Sequence, residues 1–523
     1  MFIRQATIKL AIWAMFIGIV ALGTTVHKDY GISWDEETHR QTTILAEKYV
    51  LKGDKALFSN HLVQDYGTAF EFILLFAERT FKPNATIQEV YFLRHLVNFY
   101  FFIIGLFFFF LLARIKFNSE AMSLLAICFL VLSPRIFADA FYNSKDIPFL
   151  SAFIVSIYTL ILYLKKRTLA ASIAHALSCA FLIDIRVVGI LVPAITSIFL
   201  VLDTIWDESL RKEWFKALRS WLIYGFCLIA FTILFWPYLW QHPIAKFIET
   251  YKLMSHYNWG GTVLYLGEYI KADRLPWHYI PVWILITTPI LYTVFFVFGI
   301  LKLAFSLILK PSSFYKNHKL DLICLCWLLI PLALVMIKKS VLYDGWRQLF
   351  FVYPAFLMIL LEGVFSLFKW ISNQLQSWRK SFAFFFIIST ISINSLYLMV
   401  KMMNLHPFQN LYFNLFAGKD LAEIKQKFEL DYWGLSFRKA LEFIVKHDAR
   451  ETIKVHPSNL AGDMNLQILD PADQKRLVFL RTIEDADYFV TNYRWHKADY
   501  DYKDEVFFIE RAGAKIVSVF KLK

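Results

Sequence analysis

Runs of about 20 apolar residues, the length that crosses a bilayer as a helix, recur from the N-terminus to about residue 400. They lie near 8–26, 91–112, 119–137, 147–164, 168–184, 187–204, 221–239, 281–304, 320–337, 349–368 and 381–400. The pattern predicts about eleven helical spans. Lys and Arg cluster in alternate connections: Arg114/Lys116, Lys165 to Arg167, Arg211 to Arg219, Lys302 to Lys319 and Lys369 to Lys380. Positive charge stays on the cytoplasmic side, so these loops and the N-terminus are expected inside. The connections 27–90, 138–146, 240–280 and 338–348 and the tail from about 401 are then expected outside. The fifth and sixth runs are parted only by Asp184 and Arg186. Merging them would invert every later loop. The first run follows Arg4 and Lys9 like a signal peptide, yet it is long enough to span and lacks a small-residue cleavage site, so an uncleaved span is expected.

Within the first outer loop, Thr38 to Leu51 and Tyr66 to Phe81 have helical spacing but are too polar or too short to span. They predict helices lying at the interface. Beyond Lys401 the apolar runs shorten to strand length: Thr452 to Val455, Leu477 to Arg481 and Tyr488 to Tyr493. Glu505 to Glu510 and Lys515 to Lys521 flank Arg511-Ala512-Gly513-Ala514 as a hairpin, and a helix is expected over Phe437 to Lys446. The fold class is therefore mainly α, a polytopic membrane protein of about eleven helices with a small extracytoplasmic α/β domain at the C-terminus. The division expected is 1–400, including the interfacial helices of 27–90, and 401–523. No fixed-period repeat or low-complexity linker interrupts the chain.

Composition agrees with lipid as the main solvent: the 523 residues are 58% hydrophobic and 18% aromatic, with mean hydropathy +0.48. The formal charge of +13 sits in the short inter-run clusters, which makes it an orientation signal rather than a nucleic-acid footprint. Cys128, Cys179, Cys227, Cys324 and Cys326 all fall inside apolar runs and read as small buried hydrophobes. No Walker A loop, GxSxG or HExxH is present, so a cytoplasmic nucleotide-driven mechanism has no support. The Asn84 sequon reads as chance.

Four polar constellations stand on the expected outer side. Ser33-Trp34-Asp35-Glu36-Glu37-Thr38 offers a carboxylate as general base toward a hydroxyl; alternatively Ser33 caps an interfacial helix whose first turn carries the acids, which spacing alone favours. In Tyr142-Asn143-Ser144-Lys145-Asp146-Ile147-Pro148, Lys145 could meet a phosphate while Asp146 orients it or holds a cation; a self-satisfied Lys-Asp pair is an equal alternative. Arg186, Lys338, Lys339 and Arg347 are cations on the wrong side of the charge rule, which invites an anionic ligand. Pairing with Asp184 is the bland reading for Arg186, and snorkelling for Lys338 and Lys339. Arg347, within Tyr343-Asp344-Gly345-Trp346-Arg347-Gln348, is the stronger candidate. The stretches around His256 and Leu275-Pro276-Trp277-His278-Tyr279 suit a membrane belt or sugar stacking, the belt being commoner. Neither His256 nor His278 has metal-like spacing, so no metal site is expected.

In this order and on this one side, the acidic pair, the Lys-Asp-Ile-Pro turn, the Leu-Pro-Trp-His-Tyr segment and the outer tail resemble GT-C glycosyltransferases. These are polyprenyl-phosphate-dependent enzymes such as protein O-mannosyltransferases and bacterial aminoarabinose transferases. The resemblance covers about residues 1–400. It implies sugar transfer with inversion from a polyprenyl-phosphate carrier to a glycan, lipid or protein acceptor in a membrane, with Asp35 as base and Glu36 as its paired acid. Lys145, Arg186 and Arg347 would bind the carrier phosphate, with Tyr142, Asp146, His256, Trp277 and His278 as further pocket candidates. No cofactor follows, and a divalent cation is compatible with the acids present. Unlike the eukaryotic O-mannosyltransferases, this chain has no inserted domain between its spans. The segments His406 to Asn414 and Phe428 to Gly434 resemble bacterial members, pointing to an inner membrane. A transporter or flippase of lipid-linked sugars is the alternative; it would call for internal repeats and polar residues at mid-membrane depth.

Overall fold

Capping residues mark where the apolar runs become helices. A computed structural model describes residues 2–59, 67–206, 214–255 and 259–523. Thr86 opens the longest helix, Ile87–Phe117, with a capping box. Its hydroxyl accepts from the Glu89 amide at 3.3 Å, and its own amide donates to Glu89 Oε2 at 3.0 Å. At the other end Asn118 closes the helix in the left-handed region, φ +46°, where asparagine is tolerated better than most residues.

Among the described residues, nine helices are long and apolar enough to cross a membrane, and they correspond to nine of the eleven predicted runs. The chain is an integral membrane protein. The other two runs are helical but differ from simple spans. The third is broken into Glu120–Val131 and Pro134–Tyr142, bent by 69°. Pro134 lacks an amide proton and pushes Ser133 to φ −91°, ψ 99°, so the helix cannot continue through it. The fifth, Leu169–Ile185, has 17 residues. The eighth run also starts late: Pro289 separates Tyr279–Thr287 from the spanning helix Ile290–Leu309. Carbonyls freed at that break are taken up by Asn414, whose side-chain amide donates to Leu285 O and Thr288 O, both at 2.6 Å. Close approach of Ile290–Leu309 and Tyr353–Gln374 depends on glycine, because a Cβ on Gly299 would stand 1.9 Å from Ile359 O. Small residues at such contacts are how helices pack without a hydrophobic driving force in lipid.

Both helices expected between the first two spans are present, as Glu36–Lys52 and Ala69–Phe81; Tyr66, where the second was expected to begin, is outside the described residues, as are Arg211 and His256. The 240–280 connection is more ordered than its sequence suggests, with a helix Pro243–Ser255 and an antiparallel hairpin, β1 (Thr262–Tyr265) and β2 (Glu268–Lys271).

The tail carries a five-stranded mixed sheet in the order β4-β3-β5-β7-β6, formed by β3 (Ile453–Pro457), β4 (Leu477–Phe479), β5 (Tyr488–Thr491), β6 (Glu505–Arg511) and β7 (Ala514–Lys521). One face is covered by Phe437–His447, whose Phe437, Ala440, Leu441 and Ile444 pack on Val455, Val490, Val517 and Val519. The last long helix continues to Leu405, and Phe408, Leu411, Trp433 and Leu435 share one core with the spans. Asn465 binds the loop after the first span twice, accepting from Ile32 N and donating to Ile32 O, each at 3.0 Å. The sheet is thus fastened beside the residues that follow the first span.

Candidate active site

Asp35 occupies the N-cap position of Glu36–Lys52, but its side chain makes no capping hydrogen bond. Ser33, expected to cap, instead donates its hydroxyl to Tyr142 O at 3.0 Å. The Asp35 carboxylate is therefore available to the cavity it faces; it stays 37% exposed and pairs with Arg347 Nη1 at 3.2 Å. Glu36, one residue on, points elsewhere. It is buried, accepts from Ser33 N at 2.7 Å and lies 3.0 Å from His95 Nε2, so it fixes the loop and does not share the cavity with Asp35.

The broken third span sets the second part of the site. Pro134–Tyr142 is buried along its whole length and delivers the turn Asn143-Ser144-Lys145. Asn143 Oδ1 accepts from Asp146 N at 2.8 Å, and Ser144 Oγ donates to Glu71 Oε1 at 2.5 Å. Glu71 and Glu78, on the helix Ala69–Phe81, are both paired with Arg94 of Ile87–Phe117. Helix, turn and span are locked together by these buried charged contacts.

Lys145 Nζ is buried, 3.4 Å from Gly67 O. Burial, and then the neighbouring Arg186, hold its ammonium below the ordinary lysine range. His39 is pushed down to about 3, chiefly by burial and then by Lys145, so it is neutral at physiological pH. Asp146 is 1% exposed and pairs with both arginines: Arg186, and Arg347 Nη1 at 3.0 Å. Two pairings suggested by the sequence are thereby revised. Arg186 pairs with Asp146, while nearby Asp184 accepts from Ala69 N at 2.6 Å; Asp146 is the shared partner of the two arginines as well as a charge acting on Lys145. Arg347 is further held by Trp433, whose ring lies 4.6 Å from the guanidinium carbon.

These residues meet in a cavity of about 470 Å³ lined by Asp35, Lys145, Asp184, Arg186 and Arg347, with Val187, Val335, Leu342 and Phe351 among its apolar walls. It suits a ligand with an anionic head and an apolar body. A cavity of about 500 Å³ opens toward the other ends of Lys319–Lys338 and Arg347–Gln374, but there Lys116 is paired with Asp321 and Glu362. Other candidates lie apart. Tyr142 donates to Asp139 Oδ1 at 2.8 Å, His278 Nδ1 lies 2.6 Å from Tyr265 OH, and Trp277 is 72% exposed. Lys338 and Lys339 are exposed. His256 is outside the described residues. Among those residues no group of three His, Cys, Asp or Glu could hold a metal ion.

Sequence reasoning missed Glu71, Glu78 and Arg94, and it quoted Asp344 and Trp433 within their motifs without giving either a role of its own. Arg94 carried a usable signal, a charge inside an apolar run; the others became visible only through the fold.

No family model and no curated protein matches the chain. Among solved structures it is similar to ArnT from Cupriavidus metallidurans in the apo state, with TM-score 0.50, 10% identity and 98% of each chain covered. The structure of the same ArnT bound to undecaprenyl phosphate gives TM-score 0.48 and 12% identity over 97% of this chain and 98% of that one. At 10% identity the likeness to the apo structure is one of fold: the chain is a polytopic membrane protein with an ArnT-like fold.

Proposed function

We propose that this protein is a membrane glycosyltransferase that moves a sugar from a polyprenyl-phosphate carrier to a hydroxyl of a lipid, glycan or protein acceptor. The observation that carries the reading is the convergence of Lys145, Arg186 and Arg347 beside the half-open carboxylate of Asp35 in one partly apolar cavity. Basic clusters on alternate loops support an extracytoplasmic site with the N-terminus inside, and the bacterial character of the tail supports an inner membrane. The boundary near residue 400 then parts a transmembrane catalytic unit from an outer domain.

In the resting state Arg347 holds Asp35 and Asp146 together. A donor phosphate entering the cavity competes with Asp35 for Arg347, which releases the carboxylate toward the acceptor. Asp35 then takes the acceptor hydroxyl proton as the oxygen attacks the anomeric carbon from the face opposite the phosphate. The new glycosidic bond forms as the bond from sugar carbon to phosphate oxygen breaks, with inversion. Electrons of that bond leave with the lipid phosphate, whose charge Lys145, Arg186 and Arg347 stabilise. The remaining contribution is positioning.

The test is transfer by purified protein from a synthetic polyprenyl-phosphate sugar, with Lys145→Ala alongside. Lys145→Ala is expected to weaken donor binding more than acceptor binding; the opposite ranking would remove the lysine from the donor site.

A further inference from the structure

Arg494 sits in the C-terminal domain, far in sequence from the cavity, yet it touches both arms of the Asp35–Arg347 pair. Its guanidinium is 4% exposed, and Nη2 lies 2.7 Å from Asp344 Oδ1. Asp344 is three residues before Arg347 and 4.0 Å from its Nη2. On the other arm, Arg494 stacks over the ring of Trp34, with 5.0 Å between guanidinium carbon and ring centre. Trp34 immediately precedes Asp35. Tyr432 O closes the arrangement by accepting from Arg494 Nη1 at 3.0 Å and from Trp34 Nε1.

The backbone on both sides of these contacts is held in an uncommon form. Asp344 and Gly345 have φ of +58° and +77°, and Tyr493 and Trp495, flanking Arg494, have φ of +61° and +59°. Non-glycine residues persist in that region when surrounding contacts over-determine them, and such positions concentrate at functional sites. The Asp344 turn gains little from its own amides, since Gly345 N reaches only a side chain, the Tyr279 hydroxyl, at 3.2 Å.

We infer that Arg494 is a positioning residue by which the C-terminal domain sets the separation of Asp35 and Arg347. The inference rests on the function proposed for the cavity, because it concerns the geometry of that pair. A planar guanidinium suits this role, because it bridges a carboxylate and a carbonyl while the rings of Trp34 and Trp495, themselves in edge contact, lie beside it, the latter at 4.5 Å. Lysine would supply charge to Asp344 without the planar fork or the stacking.

The test uses the full-length protein in detergent with Arg494→Gln, Arg494→Lys and the double variant Arg494→Gln/Asp344→Asn, which removes both buried charges if the single change fails to fold. Amide exchange over 343–349 and 33–38 should speed in Arg494→Gln and in the double variant, with the rest of the chain unchanged. Transfer should lose about 100-fold in kcat, the effect of a misplacement near 1 Å, while donor KM moves less than about threefold, and Arg494→Lys should recover at least tenfold. Unchanged exchange at both segments, or equal acceleration everywhere, would overturn the inference. So would a kcat within about twofold of wild type. A wild-type protein that transfers no sugar would instead defeat the proposed function, and the exchange measurement would still decide whether Arg494 holds the two segments.

Discussion

Replacing Asp146 by asparagine should destabilise the fold around the cavity. Asp146 is 1% exposed and is shared by Arg347, 5% exposed, and Arg186, 23% exposed. The substitution keeps shape but turns a shared anion into a neutral amide, leaving two cations short of a partner. Removing one member of a buried ion pair costs about 3 to 5 kcal/mol, because the remaining charge is uncompensated. Arg186 has some access to water, and Arg347 keeps Asp35 at 3.2 Å, so the lower end applies. A loss of about 3 kcal/mol lowers the ratio of folded to unfolded protein by more than 100-fold. Thermal unfolding in detergent measures it, with the double variant Asp146→Asn/Arg347→Gln as comparison. The double variant should recover part of the loss, since it removes the stranded charge along with its partner. If Asp146→Asn unfolds with wild type, or if the second change adds its full independent cost, the arginines are not organised by this carboxylate.

Donor affinity should fall as pH rises through the depressed lysine value, below the range in which an ordinary lysine deprotonates. Arginine at position 145 would keep its charge and flatten the profile, measured by titrating a polyprenyl phosphate at several pH values. For stability the sign is opposite: a folded-state value below the unfolded one means Lys145 costs stability while charged, a cost relieved as pH rises past the folded value. Glu36→Gln should lower thermal stability by about 1 to 3 kcal/mol through its buried partners Ser33 and His95, while kcat stays within about threefold; a loss comparable to that of Asp35→Asn would return Glu36 to the chemistry. Gly299→Ala should drive apart Ile290–Leu309 and Tyr353–Gln374, since the added Cβ meets Ile359 O at 1.9 Å. Folded yield in membranes checks it, and normal yield would contradict the close packing.

Span positions were legible because a bilayer demands about 20 apolar residues whatever the fold, and the tail strands because their short alternating runs stand against polar turns. Pro134 and Pro289 were equally visible, yet their effect depended on partners such as Asn414, more than 120 residues from the carbonyls it binds. Within the site, Asp35 and Glu36 look equivalent as neighbours. Successive residues at a helix start diverge by about 100°, and only the fold decides which faces the cavity. The partners of Asp146 lie 40 and 201 residues away. The adjacent charges of Lys145-Asp146 suggested a local contact, and gave no hint of the two arginines that also reach Asp146. Arg494 offered no sequence signal, because its meaning lies in meeting Trp34 and Asp344 across the whole chain.

Everything proposed for the cavity turns on Asp35 removing a proton from an acceptor at a lipid-phosphate sugar. Single-turnover transfer by purified wild type and Asp35→Asn, with a synthetic polyprenyl-phosphate sugar bound to saturation, measures that step. Wild type should give inverted product. In Asp35→Asn the chemical step should slow at least about 100-fold, the low end of general-base contributions, with donor binding and folding retained. Near-normal turnover in Asp35→Asn, or retention of configuration in the wild-type product, would show that Asp35 is not the base of an inverting transfer.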